Sequence, residues 1–177
     1  MTTEPVGTLI ARRSLYRGRV FSVDAERVLL PNGREAALDV VRHAPSVIVV
    51  PMPDPHHVVL IRQYRHPVGA WLWEVVAGSI DHGETPEEAA RRECHEEVGL
   101  RPERLVPLGS FFPVPGYCDE RMHFYRAEDL RRPAEAAAVD PDEVIVPRTV
   151  HVAEARALLA RGEITDLKTA MAIAMLT

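Results

Sequence analysis

Between residues 78 and 100 the chain reads GSIDHGETPEEAARRECHEEVGL, a stretch dominated by acids. Glu93 precedes Glu96 and Glu97 by three and four positions, so a helix brings all three onto one strip. Carboxylates at that spacing repel by about 0.2–0.5 kcal/mol per pair. A hard divalent cation removes the repulsion. Mg²⁺ in particular prefers one or two carboxylates completed by waters and substrate phosphates to an all-protein cage. The strip therefore suits metal-assisted chemistry on a phosphorylated substrate. The alternative for the helix taken alone is a solvated, glutamate-rich face.

The helix that must position these acids has its start and stop written beside it. Thr85 is the expected N-cap, Pro86 fills the first helical position, and Glu88 closes a capping box. Gly99 is the left-handed stop, and Ala90, Cys94 and Val98 form a neighbouring apolar strip for a core.

The preceding loop adds fixed positions. Gly78, Glu84, Arg92, Glu93, Cys94, Glu96, Glu97, Gly99 and Leu100 match G-x5-E-x7-R-E-U-x-E-E-x-G-U, with U apolar. The stretch resembles the Nudix box. Seven of these positions demand one residue type, so at ordinary usage a chance match in this chain is on the order of one in a million. Cys94 departs mildly from the larger aliphatic residue usual there, and cysteine packs as a small hydrophobe. Val76 stands where W-E-x-P-A-G in the family has proline.

The resemblance implies hydrolysis of a nucleoside diphosphate linked to a second group, with Mg²⁺ or Mn²⁺ as cofactor. It makes Glu93, Glu96 and Glu97 metal ligands, joined by the carbonyl of Ala77 at the end of the preceding strand. It makes Glu84 and Arg92 a pair that orients the helix acids; the alternative is a surface salt bridge contributing about 0–1 kcal/mol. The implied fold is α/β: an α/β/α sandwich around a mixed central sheet, preceded by an N-terminal β-segment.

Composition is that of an ordinary globular chain. There are 177 residues, 46% hydrophobic and 27% charged, with a formal net charge of -5. That charge argues against a general nucleic-acid or acidic-membrane binder. Two cysteines, Cys94 and Cys118, build no disulfide framework and fit free thiols in a reducing cytoplasm. The N-terminus lacks a signal-peptide apolar core, and the run at 47–50 is far too short to span a bilayer.

Periodicity divides the chain at 45/46. Residues 1–45 read as strands at 14–23, 27–30 and 36–41 around a Pro31-Asn32-Gly33 turn. In the ADP-ribose pyrophosphatase branch of the Nudix family a similar segment helps form a dimer, which implies a homodimer here. Residues 46–177 are the expected hydrolase domain. Its apolar runs at 47–50 and 58–63 read as a buried hairpin, and 71–78 as one strand delivering the chain into the box. Strands are expected at 106–112, 123–127 and 143–146, with helices at 152–160 and 167–176.

Outside the box, Arg65 follows a buried run and reads as a phosphate clamp, because a guanidinium matches phosphate bidentately; an exposed strand-end arginine is the alternative. Phe21, Trp71 and Trp73 are either base-stacking or core. The turn at 115–120, P-G-Y-C-D-E, is similar to a P-G-x-x-x-E stretch of ADP-ribose pyrophosphatases and points to Gly116 as a substrate contact. The same branch implies an acidic loop before a late strand, which places a metal-binding or base carboxylate at Glu143, with Glu120 the competing base. The expected substrate is ADP-ribose, cleaved to AMP and ribose 5-phosphate. The alternatives are GDP-mannose or another nucleotide sugar, and a non-catalytic module that senses ADP-ribose.

Overall fold

The computed structural model describes residues 4–135 and 144–176, which fall into two compact units. One comprises the described residues up to Pro45 together with Phe112–Arg121, so it takes in the P-G turn as well as the N-terminal segment. Its sheet is an antiparallel meander of β1 (Thr8–Arg17), β2 (Phe21–Leu29) and β3 (Glu35–His43). The strand expected at 14–23 is in fact broken at 18–20, and β1 begins earlier, at Thr8. The break is a tight turn, closed by the Gly18 N–H donating to the Phe21 carbonyl at 2.9 Å. Asn32-Gly33 makes the second turn, with Gly33 at φ 80° and its N–H donating to the Leu30 carbonyl at 2.9 Å.

The other unit comprises Ser46–Phe111 and the described residues from Met122 onward. Here β4 (Ser46–Pro51) and β5 (His57–Arg65) do not pair, contrary to the expected hairpin. They lie in different sheets. β5 is flanked by β6 (Ala70–Glu74) and β10 (Ile145–His151), both antiparallel to it. β4 is flanked by β7 (Val76–Ser79), antiparallel, and β9 (Met122–Arg131), parallel, with β8 (Arg101–Phe111) completing a mixed sheet. The chain at 70–79 is accordingly two strands in two sheets. They part at Val75, whose N–H leaves the ladder and donates to the buried Thr169 hydroxyl at 2.9 Å.

The unbroken apolar runs follow from burial on both faces. On β4, Val47 and Val49 face a cluster with Ala89, Ala90, Cys94 and Val98 of helix α1 (Pro86–Val98). Ile48 and Val50 face the opposite cluster, with Ala155 and Leu158 of α2 (Val152–Ala160) and Ala172 and Ile173 of α3 (Leu167–Met175). β5 alternates the same way, with Val59 and Ile61 toward α1 and Val58 and Leu60 toward α2 and α3. Helices therefore cover both sides of the strands, as in the expected α/β/α sandwich. No helix among the described residues is long and apolar enough to cross a membrane.

Candidate active site

α1 begins as its sequence dictates. The Thr85 hydroxyl accepts from the Glu88 N–H at 3.2 Å, the Glu88 carboxylate accepts from the Thr85 N–H at 2.8 Å, and Pro86 is the first helical residue. The Thr85 N–H and the Thr85 hydroxyl, both donating to the Glu88 carboxyl, hold it below the usual carboxylate range. Gly99 ends the helix at φ 68°. Both ends of the acidic strip are thus fixed by local chemistry before any tertiary contact is counted.

Arg92 organises the strip. Its Nε and Nη2 meet the two oxygens of Glu84 at 2.9 and 2.8 Å. Its Nη1 lies between Glu93 at 2.7 Å and Glu96 at 3.0 Å, and Nη2 also donates to the Ser79 carbonyl at 2.9 Å. A guanidinium has five N–H groups, and these five bonds match them. The arrangement raises the Arg92 pKa, most of all through Glu84. In return the Glu84 carboxyl is held low, chiefly by Arg92 and also by the Asp81 N–H. Loop and helix are therefore joined through one side chain.

Gly78 supplies the remaining geometry. A methyl group there would overlap the Glu93 carboxyl group, so the backbone of β7 must stay bare for Glu93 to lie across it. Ala77 is the adjacent β7 residue, in register with Ile48. Glu97 is 8% exposed, on the buried side of α1. Among the described residues no three Asp, Glu, His or Cys side chains are grouped so that they could hold a metal ion by themselves. The donor set still fits a hard cation that keeps its waters. Two carboxylates already flank a single cationic nitrogen, and bare backbone lies beside one of them.

Arg65 behaves differently from the expected free clamp. Its Nε and Nη2 donate to the two oxygens of Glu74 at 2.8 and 2.9 Å. Glu74 is 1% exposed and also receives Lys168, which is shared with Asp166 Oδ1 at 2.9 Å. Burial pushes the Glu74 carboxyl up, but Arg65 and Lys168 outweigh it and hold it below the usual range. The Asp166 carboxylate also caps α3, accepting from the Thr169 N–H at 2.9 Å. Sequence reasoning passed over Glu74 and Lys168. The signal available was the charge at position 74 inside an otherwise apolar, aromatic strand.

Phe21, Gly116 and Glu120 belong to the first unit. Phe21 is 43% exposed with its ring 5.7 Å from that of Tyr16, and Trp71 of the second unit is equally exposed, so neither is core. Trp73 is flanked by Arg62 and Arg148, whose guanidinium carbons lie 5.1 and 5.8 Å from its ring centre. Gly116 borders open space, and Glu120 lies 3.8 Å from His43 Nδ1. Glu143 lies outside the described residues.

Both cysteines are free thiols. Burial, with Glu97 nearby, pushes the Cys94 thiol up to about 12, so it packs and does not react.

The NUDIX domain family model matches residues 42–171. The chain is 34% identical over 164 residues to an ADP-ribose pyrophosphatase of Bacillus subtilis (strain 168), covering 93% of this chain and 89% of that protein. It is equally similar, over the same shares, to a methanol dehydrogenase activator of Bacillus methanolicus. A crystal structure of an ADP compounds hydrolase superposes with a TM-score of 0.84 at 26% identity, covering 99% of this chain and 95% of that one.

Proposed function

The chain belongs to the Nudix family, and from that premise we propose that it hydrolyses the pyrophosphate bond of an ADP-sugar, with ADP-ribose giving AMP and ribose 5-phosphate. The observation that carries this reading is the Arg92 hub, which ties Glu84, Glu93 and Glu96 into one hydrogen-bonded set beside the bare backbone of Gly78. Both the ADP-ribose pyrophosphatase and the ADP compounds hydrolase similar to this chain support the adenine nucleotide. The complete set of box acids supports an enzyme rather than a silent sensor.

A divalent cation, Mg²⁺ or Mn²⁺, would be held by Glu93, Glu96, Glu97 and the Ala77 carbonyl, where it would offset pyrophosphate charge and polarise the bond to be broken. The protein's own part is positional. Arg92 keeps Glu93 and Glu96 aimed, and Glu84 keeps Arg92 in place. Glu74 sets the plane of the Arg65 guanidinium, which remains our assignment for the phosphate grip. A carboxylate outside the box takes the proton of the attacking water: Glu143 in our assignment, Glu120 as the competitor. Phe21 and Gly116 complete the substrate contacts.

The exposed apolar residues Leu9, Ile10, Leu15, Val20 and Leu38 of the first unit support a homodimer formed through that unit. Free thiols support a reducing, cytoplasmic setting. The deciding experiment is a panel of nucleoside diphosphate sugars with Mg²⁺, scored by product identity. ADP-ribose turned over to AMP and ribose 5-phosphate is the expected result. A clear preference for GDP-mannose transfers the assignment to that substrate.

A further inference from the structure

We propose that the Arg42–Asp119 pair is a latch that holds the turn at 113–121 in the conformation hydrolysis requires, which makes Arg42 and Asp119 positioning residues. The role in turnover rests on the hydrolytic reading above; the latch itself does not.

The turn makes few bonds of its own. The Tyr117 and Cys118 N–H groups donate to the Val114 carbonyl at 3.2 and 3.0 Å. Four hydrogen bonds join it to the end of β3. The Val41 N–H donates to the Tyr117 carbonyl at 2.7 Å, and the Asp119 N–H returns to the Val41 carbonyl at 3.2 Å. The Asp119 carboxylate accepts from Arg42 Nη1 at 2.8 Å and from the His43 N–H at 3.0 Å. Two of these four ties are therefore made by one side chain. Both act on its carboxyl, offsetting its partial burial and holding it below the usual range.

Arg42 is itself fixed from behind. It is bonded to Glu26, which also receives Arg12 Nε at 2.6 Å, and it lies 3.6 Å from Asp24. Asp24 and Glu26 are both buried. Cation and anion alternate from Arg12 through Glu26 and Arg42 to Asp119, so the guanidinium keeps its inner partner when the outer one is removed. Loss of the Asp119 carboxylate should therefore loosen the turn and leave the meander standing. The turn carries Gly116 and Glu120, and Glu120 follows Asp119 directly, so its carboxylate moves when the latch opens.

The test compares wild type, Asp119→Ala, Asp119→Asn and Arg42→Lys by hydrogen exchange and by steady-state kinetics on the substrate the panel identifies. For Asp119→Ala we expect exchange at 113–121 to accelerate about tenfold or more while α1 exchanges as in wild type. We expect kcat/KM to fall about 10–100-fold, through KM where the turn acts by the Gly116 contact and through kcat where it acts by Glu120. Asp119→Asn keeps an acceptor for the His43 N–H and should recover part of both losses. Unchanged exchange at 113–121 in Asp119→Ala refutes the latch. Accelerated exchange with unchanged kcat and KM refutes the positioning role. A wild-type protein that hydrolyses no nucleoside diphosphate sugar removes the hydrolytic reading and the positioning role together, whatever exchange shows of the latch.

Discussion

Replacing Glu74 by glutamine tests whether the interior charge cluster stabilises the fold and aims Arg65. The substitution keeps the shape and removes one negative charge from a site 1% exposed. It leaves Arg65 and Lys168 facing a neutral amide. Removing one member of a buried ion pair costs about 3–5 kcal/mol. Two features of the structure reduce that here. The Arg65 side chain is 35% exposed, and Lys168 keeps Asp166 at 2.9 Å. The expected loss is then about 2–3 kcal/mol. For a chain of this size that lowers the thermal midpoint by about 5–10 °C. The sign with pH is fixed by the direction of the Glu74 shift. A carboxyl held below its ordinary value stabilises the fold above about pH 4.3, and that stabilisation is lost as pH falls through its folded value. The glutamine variant should therefore lie furthest below wild type near neutrality and converge on it in acid. Thermal melts between pH 3 and pH 7 read both effects, and KM for the substrate should rise about tenfold as Arg65 loses its orientation. A variant melting within about 1 °C of wild type at pH 7 refutes the energetic argument.

Gly78→Ala should lower kcat about 100-fold or more with little change in melting temperature, since the added methyl displaces Glu93 and not the core; kinetics beside a melt would show this. Arg92→Lys cannot replace five bonds from a planar fork, and isothermal titration should show Mg²⁺ or Mn²⁺ binding weakened about tenfold or more. Hydrolysis should cease in EDTA and return with Mg²⁺, and full activity in the chelator would end the metal assignment. Glu97→Gln should lose about 100-fold or more in kcat with the fold intact. Separate Gln substitutions at Glu143 and Glu120 will decide the base: if turnover survives the first and is abolished by the second, the assignment of Glu143 is wrong.

What could be read from the sequence was what local chemistry determines. The cap at Thr85 and the stop at Gly99 each depend on residues within a few positions, and both stand where expected. The meeting of Glu84 with Arg92 spans eight positions and was legible because the box fixes both. Pairing between strands was not legible. The runs at 47–50 and 58–63 are adjacent in sequence and buried on both faces, which resembles a hairpin; yet one neighbour of each strand comes from a segment 70 or more residues away. Glu74 escaped notice because a carboxylate is stable in an apolar strand only if cations reach it, and one of them, Lys168, comes from a distant helix. The bond between Arg42 and Asp119 spans 77 positions and carries no local mark.

The parallel pairing of β4 with β9 has a consequence for how the chain is made. β4 ends at Pro51, and its partner residue on β9 is Ala127, so 76 residues separate a strand from its neighbour. At roughly 5–20 residues per second, a ribosome needs roughly 4–15 s to deliver the missing edge. Throughout that interval Val47–Val50 and Val58–Ile61 emerge as apolar, mostly β-branched segments with no helix α2 or α3 yet synthesised to cover one face. Such segments associate between chains when left bare. The nascent protein should therefore gain from chaperone cover until α2 and α3 have left the exit tunnel. Recovery of soluble protein should fall steeply with any truncation that removes α3.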